Sequence, residues 1–579
     1  MNKSELFFTD LLIDKFHNRA KYISLPNTLC FSYCLKEIID YLNKRKDIQN
    51  MGKYNIFNDF YDFLVEDTIL SGINQAEYFT LLEQLVVADK SISESTKTTN
   101  KQAELLEYFT QIYYLYKQQY FMKLYDTIID QIMNDKQDFL LIRKYSNIFF
   151  NELLNNRVSY KYMMDIVTSF KEQAFKNIYE FLNYVCYEKN ENIEILIPIK
   201  DYTKIDLAFL DSKEQEYVES IDKNKRTMYL KVFSGGIDYY SIYEINTIRI
   251  NAYLNFHKFY NNSQIKYNYD EELIIKRLNI LKNEIRIPHQ EFLKYDYYIG
   301  KKEIVESSSK TMNVLYEQNH DLFYKLSNIL NYAERDNDQV SVSSFVDNWI
   351  ALESLIKVSG NYTGYQGVIY YVPQTLATVF FRRYISNLLK YARTDIDEYI
   401  YFTDEQKNKL VKNAKSPLKK IEIEELNEIF FNNQLFMKKL NEVEDQIRKD
   451  LMRIYILRNE YVHSSNLSVN KNIFPYKLKR IIAEFYDIYM KILNVHIMHI
   501  NNNHVNIKGS SIYVDIERKN QNKKTAMRLI ANQLKINGNL YTKKKIISDT
   551  SIHEIKKNIL YDRINIMEFS SKTSNNEMD

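Results

Sequence analysis

The stretch IEIEELNEIFFNNQLFMKKLNEVEDQIRKDLMRIYILRNEYVH, residues 421–463, decides how the C-terminal part of the chain folds. Its apolar residues recur every three or four positions between charged ones, which predicts two amphipathic helices. Near its end, Leu451, Ile454 and Arg458 are spaced i, i+3 and i+7, so a helix places Arg458 on the apolar stripe. Because an unpaired buried charge is costly, we expect Arg458 to meet a carboxylate, or an anion that enters a cleft.

Two more polar residues follow Arg458 at the end of the same predicted helix. Asn459 and His463 are four residues apart, so they share one face if the helix continues. An asparagine at that spacing can hold the imidazole in one tautomer. The residues SSN after His463 are expected to end the helix.

A second helix upstream carries an unexpected carboxylate. SVSSFVDNWIALESLIKVS, residues 341–359, opens with serines that can cap it, and Gly360 is expected to end it. Glu353 lies four residues after Trp349 and therefore falls on the apolar stripe of this helix. A core-facing Glu353 and a core-facing Arg458 in one bundle suggest a buried ion pair or a polar pocket.

Further helices are predicted around these two. PQTLATVFFRRYISNLLKYA (373–392) starts with a proline at a helix-compatible first position, after a glycine-containing loop, NYTGYQG. FPYKLKRIIAEFYDIYMKILNVHIMHI (474–500) is predicted to be another helix. Residues 311–500 are thus expected to form an elaborated bundle of four or five helices.

The R-N-x-x-x-H segment at 458–463, with the R-x-Y-x-L run before it and the W-I-A-L-E helix upstream, resembles the R-x(4–6)-H signature of HEPN domains. HEPN domains are helical bundles of prokaryotic toxins and antiviral ribonucleases. The upstream helix is similar to the first helix of the Apea-like and abortive-infection members. The resemblance covers about 190 of the 579 residues and does not extend to residues 1–310.

This resemblance implies an RNA endonuclease that needs no metal and leaves a 2′,3′-cyclic phosphate and a 5′-hydroxyl. His463 is then the acid/base group, because an imidazole near neutral pKa can take or deliver a proton. Arg458 would stabilise the phosphorane, and Asn459 would orient the site. Glu353 is a supporting candidate, with a structural salt bridge as an equal alternative.

The resemblance also implies a homodimer through the C-terminal bundle, because HEPN nucleases face two motifs across a cleft and this part of the chain holds one. The substrate is expected to be RNA of a class that the sequence does not define. Two alternatives stay open. One is a non-catalytic HEPN protein that binds RNA, a nucleotide or a partner protein, and the other is a helical interaction protein with an accidental likeness.

The first 310 residues have a different character. Residues 1–185 are predicted to be helical, with a helix at 103–133 after a polar loop at 91–102. Residues 186–310 are predicted to be a mixed α/β region. Its expected strands are IEILIPI (193–199), IDLAFL (205–210), MYLKVF (228–233) and YYSIYEINTIRI (239–250), and helical periodicity resumes at YDEELIIKRLNILKNEI (269–285).

We expect residues 1–310 to sense a phage-derived trigger and restrain the nuclease, since an unrestrained ribonuclease would harm its host. The alternative is that they scaffold the dimer or bind substrate RNA. The fold class expected for the whole chain is mainly α, with an N-terminal helical region, a small mixed α/β region and a C-terminal HEPN-like bundle.

Composition excludes several protein classes. The net charge of +3 argues against a uniformly basic nucleic-acid-binding surface. Three scattered cysteines without metal-finger spacing, and no apolar run long enough for a membrane span, predict a cytoplasmic protein without cofactor or metal. The basic residues at 501–579 are expected to form a solvated extension or a phosphate-contacting arm, with a disordered end. A metal role for His496, His499 and His504 is not favoured, since no carboxylate or cysteine completes the set.

Overall fold

A computed structural model describes the chain in segments between residues 2 and 490. Its longer gaps are at 17–28, 44–55, 201–216, 219–227, 251–265, 278–283, 290–308, 335–341, 392–401 and 465–473, with shorter gaps elsewhere. The predicted extension at 501–579 and the histidines near residue 500 therefore lie outside the described residues. No helix in the described segments is long and apolar enough to cross a membrane.

The predicted N-terminal helical region is confirmed. Its helices are α1 (Lys3–Phe16), α2 (Phe31–Asn43), α3 (Ile56–Glu66), α4 (Ile69–Ile73), α5 (Gln75–Ser93), α6 (Thr99–Met133), α7 (Phe139–Asn156), α8 (Tyr160–Lys171) and α9 (Ile178–Tyr187). Within the loop predicted at 91–102, residues 91–93 and 99–102 are helical instead, because α5 extends to Ser93 and α6 begins at Thr99; residues 94–98 lie outside the described residues. That stretch contains no glycine or proline, so neither helix is forced to end early.

An antiparallel sheet follows these helices in the described part of the chain. Its strands are β1 (Asn192–Lys200), β2 (Tyr217–Val218), β3 (Met228–Gly235), β4 (Lys266–Tyr267), β5 (Glu272–Arg277) and β6 (Glu284–Pro288). The order is β2-β3-β1-β5-β6, and β4 also pairs with β1. Alternate residues of β1, Ile193, Ile195 and Ile197, pack into the same core as the N-terminal helices. Helices and sheet thus form one N-terminal lobe, the described residues 2–289.

The sheet confirms two predicted strands and corrects a third. The strands at 193–199 and 228–233 are present as β1 and β3, whereas 205–210 lies outside the described residues. The strand predicted at 239–250 is wrong, because residues 239–243 are helical. Asp238 caps this turn, since its Oδ1 accepts from the backbone nitrogens of Tyr240 and Ser241 at 3.0 and 3.2 Å.

The helix predicted at 269–285 is also wrong, because this stretch contains β5 and the start of β6. Leu273, Ile274 and Ile275 are consecutive buried residues, a run that fits a buried helix or a strand covered on both faces. Antiparallel pairing with β1 on one side and β6 on the other decides in favour of the strand.

The C-terminal lobe, the described residues 309–490, is a helical bundle with its own core. Its helices are α10 (His320–Glu334), α11 (Val342–Ser359), α12 (Gly364–Tyr391), α13 (Asp404–Asn413), α14 (Pro417–Phe431) and α15 (Asn433–Ser464), followed by helical residues 477–487. The two helices predicted within 421–463 are confirmed as α14 and α15. The described part of this lobe holds more helices than the four or five expected. Among the described residues of the chain, the fold is mainly α with a small sheet, as predicted.

Pro373 does not begin a helix, contrary to the prediction, but lies inside α12. The helix starts nine residues earlier at Gly364, whose φ of 71° suits a glycine. A proline in a helix interior removes one backbone hydrogen bond. The neighbouring Val372 and Leu376 are fully buried, and this packing holds the helix together across the missing bond.

The two lobes are joined by polar contacts between α14 and the N-terminal helices. Lys419 Nζ lies 2.6 Å from Asp14 Oδ2 on α1. Arg143 on α7 donates through Nη1 to Glu425 Oε2 at 2.9 Å. Leu418, also on α14, packs into the core of the N-terminal lobe. Such polar contacts are typical of interfaces between domains.

Candidate active site

The candidate site lies at the C-terminal end of α15, where this helix leaves the bundle core. Earlier along the helix, Ile447, Leu451 and Ile454 are at most 1% exposed. Residues 455–459 are all only half-buried, so the last described turns run along the edge of the bundle. Polar side chains here can reach a ligand from solvent without leaving a rigid helix.

Arg458 is half-buried at this edge, in the position predicted from its spacing. Its Nη1 donates to Asn459 Oδ1 at 2.9 Å, while its Nε is inaccessible to solvent and has no hydrogen-bond partner among the described residues. A buried donor without an acceptor costs free energy. Because the residue as a whole is half-buried at the edge of the bundle, an anion can approach the guanidinium from solvent, and phosphate matches its geometry.

Asn459, which the sequence predicts to hold the imidazole of His463, contacts Arg458. Its amide oxygen accepts a hydrogen bond from Arg458 Nη1. The helix does continue through Ser464, so Asn459 and His463 lie one turn apart on α15. The side chain of His463 lies outside the described residues.

Glu353 does not form the expected ion pair with Arg458. It is half-buried on α11, and no salt bridge within the described segments joins these two residues. The helix that carries Glu353 nevertheless reaches the motif helix one turn earlier, where the Trp349 and Tyr455 rings lie 5.4 Å apart. The structure therefore brings the two helices together without pairing their predicted polar residues.

Aromatic rings pack around the turn of α15 that precedes Arg458. Tyr455, three residues before it, stacks on Tyr365 of α12 with centroids 4.1 Å apart and an interplanar angle of 26°. Beside this stack, Trp349 Nε1 and Asn348 Oδ1 are buried and lack a hydrogen-bond partner in the part of the chain that is described. The end of α15 thus combines a cationic group with a stacked aromatic pair and unsatisfied polar atoms.

The fully buried arginine of this helix is Arg453, which opens the R-x-Y-x-L run of the motif but was given no role of its own. It is 1% exposed and donates through Nε to Glu37 Oε1 on α2 at 2.9 Å and through Nη2 to Asp59 Oδ2 on α3 at 2.8 Å. The carboxylates expected for a buried arginine are thus those of Arg453, five residues before Arg458. Local spacing carries no signal for them, because both belong to the N-terminal lobe.

A second buried charge lies close by. Lys477 and Asp450 are 2% and 0% exposed and their Nζ and Oδ2 atoms lie 2.8 Å apart.

Lys15 on α1 donates to Asn151 Oδ1 at 3.0 Å. Burial, and then the charge of Lys477, lowers the pKa of Lys15 to about 7. Charged and uncharged forms of Lys15 therefore coexist near neutral pH.

Lys15→Met is expected to stabilise the fold in a pH-dependent way. Because the folded-state pKa is depressed from 10.5, the charged lysine destabilises the fold fully below pH 7, and less as the pH rises towards 10.5. The variant should gain about 1 kcal/mol or more at about pH 6, and less at about pH 9. Urea unfolding at both pH values measures this, with the exposed Lys3→Met as control. An equal gain at both pH values would contradict the lowered pKa.

His289 and two cysteines are buried titratable groups of the N-terminal lobe. His289 is fully buried between Tyr243 Oη, 2.7 Å from its Nε2, and the Asn268 carbonyl, 3.3 Å from its Nδ1. Burial lowers the pKa of His289 to about 4, so the ring is neutral. Cys30 and Cys34 are buried, and burial raises the pKa of both thiols.

No group of three or more His, Cys, Asp or Glu side chains with the arrangement of a metal site occurs among the described residues. Comparisons of the chain with family models, with curated proteins and with solved structures found no match. The candidate function therefore comes from the chain's own residues and their contacts.

Proposed function

We propose that this chain is a metal-independent RNA endonuclease of HEPN type, with Arg458 and His463 as its catalytic pair. The observation that carries the proposal is the placement of Arg458. It lies half-buried at the edge of the bundle, next to Asn459 and three residues after the Tyr455 that stacks on Tyr365. An arginine held in this way is suited to a phosphate group.

The chemistry follows from the residue types. The 2′-oxygen of a ribose attacks the adjacent phosphorus, and the bond from phosphorus to the 5′-oxygen breaks. A histidine removes the 2′-hydroxyl proton, and an acid protonates the departing 5′-oxygen. Arg458 balances the negative charge that builds up on the phosphorane oxygens. The products are a 2′,3′-cyclic phosphate and a 5′-hydroxyl.

The biological setting rests on the resemblance of the motif. HEPN nucleases of this kind act as toxins or abortive-infection effectors, so the proposal places this chain in antiphage defence. A homodimer would bring a second copy of the motif to the cleft. The N-terminal lobe would sense the trigger. It has a hydrophobic core of its own, as a separate recognition domain needs.

Cleavage is expected to survive EDTA, because attack by a 2′-hydroxyl needs no metal-bound water. Purified full-length protein should cut RNA equally well with EDTA and with Mg²⁺. The fragments should carry 5′-hydroxyl ends that polynucleotide kinase labels without prior phosphatase treatment. Loss of cleavage in EDTA with rescue by Mg²⁺ or Mn²⁺, or fragments with 5′-phosphates, would place the chain in another nuclease class.

The second candidate function is binding without cleavage, and the Tyr365–Tyr455 stack favours it. Aromatic side chains near a cationic group are typical of sites on which nucleobases stack without sequence preference. Burial raises the pKa of Tyr365 to about 12, so its hydroxyl stays protonated and polar. RNA or nucleotide binding by a protein that leaves RNA intact in the same assay would support this candidate over the nuclease.

A further inference from the structure

A buried ion cluster links the motif helix to the N-terminal lobe. Arg453 bridges Glu37 and Asp59, and Lys449 Nζ approaches the second oxygen of Asp59 at 2.6 Å. Tyr33 Oη also donates to Glu37 Oε1, at 3.3 Å. Two helices of the N-terminal lobe are therefore fastened to two consecutive turns of α15.

This cluster is costly to bury. The Arg453 side chain is 1% exposed, and those of Glu37 and Asp59 are 14% and 7% exposed. Burial raises the pKa of Glu37, although the charge of Arg453 acts in the opposite direction. Buried ion pairs are often no more stabilising than apolar side chains of similar size, and their best-attested role is to fix one arrangement. This cluster is therefore better explained by a role in fixing how α15 lies against α2 and α3 than by a contribution to the stability of the fold.

The cluster and the candidate site lie on different faces of one continuous helix. Arg458 follows Arg453 by five residues, which is about 7.5 Å along the axis and about 140° around it. Between them, Tyr455 contacts Trp349 and Tyr365 in the C-terminal lobe. A rotation or shift of α15 at Arg453 is therefore carried directly to Tyr455 and Arg458.

The geometry points to Arg453 as a positioning residue, through which Glu37 and Asp59 of the N-terminal lobe set the orientation of the Arg458 end of α15. This inference rests on the proposed function for its effect on cleavage. The positioning itself is a property of the helix contacts. The guanidinium suits this role, because its Nε and Nη2 donate to Glu37 and Asp59 in directions fixed by its plane, whereas the ammonium of a lysine is a compact charge on a flexible stem.

The test compares Arg453→Lys and Asp59→Asn with wild-type, full-length protein. Arg453→Lys keeps the positive charge, and Asp59→Asn nearly keeps the shape of the side chain. In both variants kcat is expected to fall about tenfold to 100-fold, with KM within about twofold, because the catalytic groups are misplaced rather than lost. Arg448→Lys is the matched control, since its ion pairs to Glu444 and Asp445 lie within α15 itself.

Trp349 gives a readout that does not depend on catalysis. It is the single tryptophan of the chain, is fully buried and contacts Tyr455. Its fluorescence should shift to longer wavelength in both variants and stay unchanged in the control, while circular dichroism shows retained helicity. If either folded variant keeps the wild-type kcat or the wild-type emission, the positioning role is wrong.

Two results need separate interpretation. If the wild-type protein cuts no RNA, the proposed function fails, and Trp349 emission alone decides the positioning role: a shift in the folded variants supports it, and no shift overturns it. If Arg453→Lys does not fold, Asp59→Asn decides in the same way, because it changes one atom of a side chain outside the C-terminal lobe.

Discussion

Replacing His463 or Arg458 with alanine is expected to reduce RNA cleavage by at least about 100-fold and to abolish any growth toxicity. The loss follows from the proposed roles, proton transfer by the imidazole and charge stabilisation by the guanidinium. The fold should survive both changes. Arg458 makes its one described hydrogen bond to the adjacent Asn459, and residues 455–459 are already half-buried.

Matched controls test whether a loss of cleavage comes from the loss of a catalytic group, or only from a change in charge or in stability. Arg448→Ala removes an arginine from the same helix at a point where its partners are Glu444 and Asp445. His320→Ala removes a histidine from α10 of the same lobe. Both controls should keep the wild-type cleavage rate. A folded double variant of Arg458 and His463 that still cuts RNA at the wild-type rate would rule out the assignment of the site.

Asp450→Ala is expected to destabilise the protein by about 3–5 kcal/mol, since it leaves a buried lysine uncompensated. Burial lowers the pKa of Lys477, and the nearby charge of Arg453 lowers it further, whereas Asp450 raises it. Without Asp450 the lysine must stay buried and charged, lose its proton, or open the packing of helical residues 477–487 against α15. Each of these costs stability, which chemical denaturation measures.

Two comparisons test the cause of this loss. The double variant Asp450→Leu with Lys477→Met replaces both charges by apolar groups and should be close to wild type, within about 1–2 kcal/mol. The pair Lys439–Glu442 lies on the same helix with both side chains nearly half exposed, so Glu442→Ala should cost less than about 1 kcal/mol. A large loss in the double variant would show that packing, and not charge, causes the effect.

Periodicity alone predicted much of the secondary structure. The repeat of apolar residues at three and four positions marked α6, α11, α14 and α15, and β-branched runs marked β1 and β3. These predictions succeed because each depends on one element that presents one face to a core. Arg458 could be proposed as a site residue in the same way, since its spacing from Ile454 places it on the apolar stripe of its helix.

Predictions failed where a local pattern allowed two structures. Residues 269–285 contain apolar runs that suit a helix or a strand, and pairing with β1 selected the strand. Pro373 suits the first turn of a helix, yet packing of α12 on both sides of it extends the helix through the proline. In both places contacts with distant segments outweigh the local preference.

The buried arginine of α15 also separates what the sequence determines from what the tertiary structure decides. The sequence by itself determined that an arginine would need a carboxylate or an anion on this helix, because burying an unpaired charge is costly. Only the tertiary structure decided that the paired arginine is Arg453, whose partners Glu37 and Asp59 are 416 and 394 residues away in the chain. Helical spacing reports which residues share a face of one helix. Which lobe covers that face, and with which charges, depends on how the two lobes pack.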